Sequence, residues 1–333
     1  MRFNKTCWRR VSYNPPEPAD HQLCFGNSYC LIYHTTISET TSRHISRLTQ
    51  LRKANGARRM QCRLENVTID YEIHGKGRPL ISIHGFPLDR RVMIGCMEPV
   101  AGFGGVWKRI YFDLPGMGKS QAADWISSSD QMLEVVLEFI DAVIPGQRFA
   151  LAGESYGAYI ARGVVSRKRD LVDGLLLICP LIVADAQKRV VPPQITLVND
   201  PTLMSSLKPE DASEFGSIAV VEEPWIWQRF QKEILLGLRS ANKSFVDKIR
   251  AEAYGFSFDV DEAVGTFHAP TLIVVGRQDS TVGYQDAWGI LASYPRGSFA
   301  VLDLAGHNLQ IEQSDLFNAL VEEWLVRVVK FTE

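Results

Sequence analysis

Chemistry in this chain is first suggested by Gly153-Glu154-Ser155-Tyr156-Gly157, a serine held between two glycines. The apolar run Phe149-Ala150-Leu151-Ala152 leads into it and a helix-compatible stretch from Tyr156 follows. The pattern predicts a strand, a very tight turn and a helix, with the Ser155 hydroxyl at the apex. A Cβ at 153 or 157 would press on the neighbouring strand and helix, which suits glycine at both places. The N–H groups at the helix start favour a developing negative charge. This is the pattern of a nucleophile elbow, G-x-S-x-G. A serine hydroxyl is a poor nucleophile unaided, so it needs a base and a group that orients the base.

Seven histidines are available. His21, His34 and His44 fall in an N-terminal stretch of different character, and His74 falls in a turn between early strands. His268 precedes a strand, at the wrong end, and His84 stands immediately before a glycine turn. His307, in a Gly-flanked loop after the last strand, is the candidate base. At the ordinary histidine value of about 6.5, rate would be lost as His307 protonates near that pH. The orienting carboxylate is assigned to Asp279, in the loop after a buried strand and one βα unit before His307, with Asp185 the main rival. Asp113 also follows a strand, and Asp303 is too close in sequence to point across at His307. Backbone N–H groups of Phe86 and Tyr156 are the candidate oxyanion donors. His84 is expected to brace the His84-Gly85-Phe86-Pro87 turn by hydrogen bonding.

These residues must be positioned by a regular framework, and from Met60 onward one is legible. Strand-like runs cover 62–66, 67–73, 79–83, 106–112, 149–154 and 175–179, with helical stretches at about 89–100 and 129–144. Alternation of this length implies right-handed crossovers and a mostly parallel sheet, with ligands at the carboxyl ends of its strands. Ser155, His84-Gly85 and Asp113 all fall at such ends. The elbow strand is expected fourth or fifth among the parallel strands. Gly116 to Ser120 is not a phosphate loop: position 113, where its first glycine would stand, is Asp, and Pro115 interrupts it. A structural turn bordering the pocket is expected instead.

The alternation stops over 185–268. Helices are expected at 207–218, 224–238 and 244–254, the last with Ser244 and Asp247 as a capping box. Some eighty helical residues between two strands predict a lid over the carboxyl ends. Trp227, Phe230, Ile234, Leu235 and Leu238 form one apolar stripe, read as packing between lid and sheet. The rhythm returns with a strand at 271–275, a helix at about 284–291, a strand at 299–302 and a helix at about 314–329.

Hydrophobic content of 46% and charged content of 22% place the chain among globular proteins with ample length for a core. Its longest apolar run, Leu175 to Ala184, is too short to cross a membrane. Six cysteines without C-x-x-C spacing, and no apolar region near Met1, suggest reduced thiols in the cytoplasm and no zinc site. Residues 1–59 carry ten Lys/Arg against three Asp/Glu, so the remainder is acidic and nucleic-acid binding is not expected. The stretch 1–59, Pro-interrupted and then Ser/Thr/Arg-rich, reads as a weakly ordered extension, or as upstream sequence joined to a chain that starts at Met60.

The motifs His84-Gly85-Phe86-Pro87, Asp113-Leu114-Pro115-Gly116-Met117-Gly118, Gly153-Glu154-Ser155-Tyr156-Gly157, Gly276-Arg277-Gln278-Asp279 and Gly306-His307 together resemble the α/β-hydrolase fold superfamily. The resemblance is to its serine-nucleophile enzymes with a helical cap. It implies an α/β core over 60–184 and 269–333, a cap over 185–268, and acyl transfer to water through Ser155, Asp279 and His307. Neither cofactor nor metal is implied, and the partner is a small-molecule substrate, without nucleic acid or membrane. A carboxylic ester is the first substrate class, and the carbon–carbon bond of a meta-cleavage product the second. Enzymes of that second group carry Gly-Pro-Gly after His-Gly and Trp after the catalytic His, where this chain has Phe86-Pro87 and Asn308. A cofactor-free peroxidase side reaction and a non-catalytic ligand receptor on the same scaffold are the remaining expectations.

Overall fold

In the computed structural model the chain divides into two units, 1–54 and 55–333. The structure describes residues 58–100 and 106–332. The expectations for 1–57 lie outside the described residues.

Eight strands form one sheet: β1 (Arg58–Arg63), β2 (Thr68–His74), β3 (Arg78–Ile83), β4 (Trp107–Phe112), β5 (Phe149–Glu154), β6 (Val172–Ile178), β7 (Thr271–Gly276) and β8 (Gly297–Leu302). Their spatial order is β1-β2-β4-β3-β5-β6-β7-β8. β1 and β2 make an antiparallel hairpin at one edge, and β3 to β8 run parallel. The hairpin register pairs Arg58 with Ile73 and Arg63 with Thr68, so β1 begins before Met60 and ends before the expected 62–66 run does. Every residue of β5, β6 and β7 is buried, because helices cover both faces of a parallel sheet and the strands read as continuous apolar runs. β5 is the fifth strand in the chain but the third of the six parallel ones.

The connection from β3 goes to β4 on one side, while β5 lies hydrogen-bonded on its other side. Strand order reverses here, and the carboxyl ends of β3 and β5 flank the resulting crevice. The His84-Gly85 turn leaves β3 and Ser155 leaves β5, which brings two motifs seventy residues apart into one place.

The helices beside the sheet are α1 (Arg91–Met97), α2 (Ser129–Val143) and α3 (Tyr156–Lys168). Inserted between β6 and β7 are α4 (Pro201–Ser206), α5 (Pro209–Gly216), α6 (Pro224–Phe230), a π turn (Gln231–Leu235), α7 (Leu236–Ser240), α8 (Lys243–Glu252) and α9 (Val260–Val264). The core resumes with α10 (Gln285–Gly289), α11 (Leu309–Glu312) and α12 (Ser314–Phe331). Three details of the insert differ from the sequence expectation. The helix expected at 207–218 starts at Pro209, because the residue before a proline is pushed to extended backbone and Lys208 has ψ 145°. The α8 N-cap is Asn242, whose side chain accepts from Phe245 N, while Ser244 Oγ donates to Asn242 Oδ1. The stretch expected as one helix over 224–238 is helical throughout but contains a π turn. One extra residue in a turn rotates the downstream side chains by about 100°, yet Trp227, Phe230, Ile234 and Leu235 all remain buried.

Asp113-Leu114-Pro115-Gly116-Met117-Gly118-Lys119-Ser120 wraps around a buried carboxylate. Asp113 accepts from Arg90 N, Arg90 Nη1 and Lys119 N at 2.7–2.9 Å. The turn does not border the cavity as expected. Gly116 instead supports the start of α8, accepting from Asn242 N and packing under Phe245.

Candidate active site

Ser155 is held at φ 53°, ψ −116°, a backbone conformation that a residue with a side chain adopts at a cost of about 1–3 kcal/mol. The surroundings impose it. Ser155 N donates to Ile178 O, and Ser155 O accepts from Ala158 N, Tyr159 N and Leu181 N. A Cβ added at Gly153 would lie 2.5 Å from Gly157 O, and one at Gly157 would lie 2.2 Å from Ile83 O. Both glycines are thus required by close backbone approach, strand to helix and helix to β3.

His307 joins this turn from the loop after β8. Its Nε2 lies 3.0 Å from Ser155 Oγ and its Nδ1 lies 2.9 Å from Asp279 Oδ2. An ionised carboxylate only accepts, so Nδ1 carries the hydrogen and the neutral ring offers Nε2 to the Ser155 hydroxyl. Asp279 is fully buried, and its other oxygen accepts from Thr281 N and Val282 N at 2.8 and 3.0 Å. Burial works to raise its pKa, but the charge and hydrogen bond of His307 and the two backbone donors leave it lowered. For His307, burial works against protonation, yet Asp279 and then Glu154 outweigh it and hold the imidazole at about 9. The ordinary value of 6.5 expected from sequence is therefore corrected upward, because two carboxylates face one ring.

The rival acids are engaged elsewhere. Asp303 accepts from Gln278 Nε2 at 2.8 Å, Asp113 holds Arg90, and the exposed Asp185 caps its own turn through Gln187 N. His84 is fully buried, donates from Nδ1 to Gly85 O and accepts at Nε2 from Leu114 N, which ties the Gly85-Phe86 turn to the Asp113 loop. His74 is not in a turn but ends β2, between Glu72 and Glu98.

Phe86 and Tyr156 stand side by side, with ring centroids 5.1 Å apart. Tyr254, at the end of the insert's α8, stacks on Tyr156 at 5.0 Å and meets Phe86 edge-on at 5.3 Å. Ser129 Oγ bonds both the Tyr156 hydroxyl and Tyr254 O. The insert therefore reaches Tyr156, next to the serine, and Phe86 in the turn after β3. It also reaches the histidine loop through Glu312, whose carboxylate accepts from Gly306 N at 2.7 Å and Val220 N at 2.8 Å. Neither Tyr254 nor Glu312 carries a local sequence signal: Tyr254 acts through the distant Tyr156 and Phe86, and Glu312 ties Gly306, six residues before it, to Val220, 92 residues before it.

A cavity of about 950 Å³ opens onto Ser155 and His307. Phe230, Ile234 and Leu238 of the insert line it, whereas Trp227 packs with Phe215 and Phe230 behind them. The stripe read as packing alone thus divides between packing and cavity wall. Cys179 Sγ, Asp279 and His307 place donor atoms within 4.8 Å of one another. Carboxylate and imidazole are already committed to each other, so these side chains are not read as metal ligands.

A sequence profile of the Alpha/beta hydrolase family matches residues 80–320. The chain belongs to that family. Among solved α/β hydrolases, a superfamily hydrolase from Oenococcus oeni PSU-1 is 32% identical with a TM-score of 0.73, covering 81% of this chain and 99% of that one. A 2-hydroxy-6-oxononadienedioate/2-hydroxy-6-oxononatrienedioate hydrolase from Burkholderia vietnamiensis is 26% identical over 227 residues, 66% of this chain and 77% of its own. A pimeloyl-[acyl-carrier protein] methyl ester esterase from Legionella pneumophila is 22% identical over 264 residues, 78% of this chain and all of its own. No helix among the described residues is long and apolar enough to cross a membrane.

Proposed function

We propose that this α/β hydrolase is a serine hydrolase that works through an acyl-enzyme on a small carboxylic ester. What supports the reading is the unbroken chain from Ser155 Oγ through His307 to buried Asp279, with separations of 3.0 and 2.9 Å. Ser155 attacks the carbonyl carbon as its proton passes to His307 Nε2. The N–H groups of Phe86 and Tyr156 stabilise the oxyanion, each such donor contributing on the order of 3 kcal/mol. His307 then gives the proton to the leaving oxygen, and water, activated by the same nitrogen, releases the acid. Asp279 holds the ring and stabilises the imidazolium. The segment 185–268 acts as a cap over 60–184 and 269–333, shaping the substrate site and excluding water. Described cysteines Cys62, Cys96 and Cys179 are unpaired, which supports the cytoplasmic reading.

Carbon–carbon bond hydrolysis is the second reading, favoured by the name of the Burkholderia relative and opposed by Phe86-Pro87 and Asn308. A panel of chromogenic short-chain esters and a vinylogous diketone, run on wild type and Ser155→Ala, separates the two. The ester reading predicts a burst followed by turnover on esters, lost in Ser155→Ala. Absence of burst and turnover on every ester and on the diketone, with equal ligand binding by both proteins, would establish a receptor instead.

A further inference from the structure

Glu154, the residue between Gly153 and Ser155, is a second buried carboxylate at the same imidazole. It ends β5, its side chain is 2% exposed, and its Oε1 lies 3.7 Å from His307 Nε2. Its Oε2 is buried and makes no hydrogen bond of ordinary geometry, although the Gly85 N–H lies close enough to favour the ionised carboxylate. The carboxylate occupies space that a side chain at position 85 would need: a Cβ built on Gly85 would lie 2.2 Å from Oε2. Glu154 also lines the cavity beside Ser155 and His307. A buried polar oxygen left unpaired costs stability, so its retention beside a reactive group calls for a use.

We infer that Glu154 is a positioning residue that sets the basicity of His307 from the Nε2 side, opposite Asp279. This rests on His307 serving as base for Ser155. When the Ser155 proton moves to Nε2, the Oγ–carbon bond forms and the substrate carbonyl π pair becomes the oxyanion. The new positive charge then lies between Asp279 on Nδ1 and Glu154 facing Nε2. An opposite charge within about 4–6 Å raises the pKa of an imidazole by about 1–3 units. The groups facing Glu154 and His307 are each other, Asp279 from the loop after β7, Cys96 from α1, Cys179 at the end of β6, Tyr254 after α8, Gly85 N–H, and Arg189 of the insert, whose charge works against protonation of His307. Burial raises the Glu154 carboxyl to about 7, against the pull of His307 and of the Gly85 N–H. Glu154 and His307 therefore titrate as a pair, and the acid limb of the rate profile belongs to both.

The test compares pH profiles of kcat/KM for wild type, Glu154→Gln and Glu154→Asp on one chromogenic ester, with Ser155→Ala as the zero. Glu154→Gln keeps the shape and removes the charge, so its acid limb moves down by about one unit or more. Near pH 6.5 the variant then keeps a larger share of its own plateau rate than wild type does, which a merely structural loss would not produce. Glu154→Asp, with the charge withdrawn by a methylene, falls between. An acid limb in Glu154→Gln that superimposes on wild type, or moves up, overturns the assignment. Activity surviving in Ser155→Ala would instead overturn the nucleophile. NMR titration of the His307 ring in wild type and Glu154→Gln reads the same shift without turnover. An equal His307 pKa in the two proteins there also overturns the assignment.

Discussion

Gly157→Ala tests whether the elbow is built by close backbone approach. The added Cβ would lie 2.2 Å from Ile83 O and 2.6 Å from His84 O, against an ordinary contact of 3.4 Å or more. Both are backbone atoms at the end of β3, and neither can rotate away. Relief requires about 1 Å of movement between α3 and β3, a small-to-large core insertion that costs about 1–3 kcal/mol or more. The same movement separates Ser155 from the Gly85-Phe86 turn, and a misplacement of that size costs about 10²-fold in rate. Urea unfolding and ester kcat/KM measure the two effects. Gly289→Ala is the control: its Cβ would meet nothing within 4 Å, and it ends α10, so stability is unchanged or slightly raised. If Gly157→Ala is as stable and as active as Gly289→Ala, the close-approach reasoning is wrong.

The pH profile of wild type should lose activity as His307 takes a proton, and with its pKa held at about 9 the loss begins well above 6.5. An acid limb centred at 6.5 or lower would show that the two carboxylates do not govern the ring. His74 is held at about 9 by Glu72 and Glu98 against the effect of burial. Its folded pKa lies above the unfolded one, so its stabilisation is complete below about 6.5 and is lost as pH rises through 9. His74→Gln should therefore lower the unfolding midpoint at about pH 6 and have much less effect at about pH 10. Asn242→Ala should cost about 1 kcal/mol in urea unfolding through loss of the α8 cap, with Ser244→Ala smaller; the reverse order would restore Ser244 as the cap.

The sequence by itself determined the sheet rhythm, the strand ends and the residue types placed there. Period-two and continuous apolar runs report burial on one or both faces, and Gly153, Gly157 and the Gly306-His307 loop report local backbone demands. Those signals are local, so Ser155, His307 and the Phe86 turn could be picked out as candidates from residue types and spacing, with Asp279 ahead of its rival Asp185. Tertiary structure decided what acts at a distance. It joined β3 and β5 at the reversal of strand order, laid Tyr254 across Phe86 and Tyr156, and brought Val220 of the insert onto Glu312 beside the histidine loop. It also placed a π turn inside the helical stretch of the insert, which no helical periodicity reveals. Most of all, it turned Glu154 from a spacer in a motif into a buried carboxylate 3.7 Å from His307. A pKa depends on which charges are brought together and how much water is removed, and a linear sequence records neither.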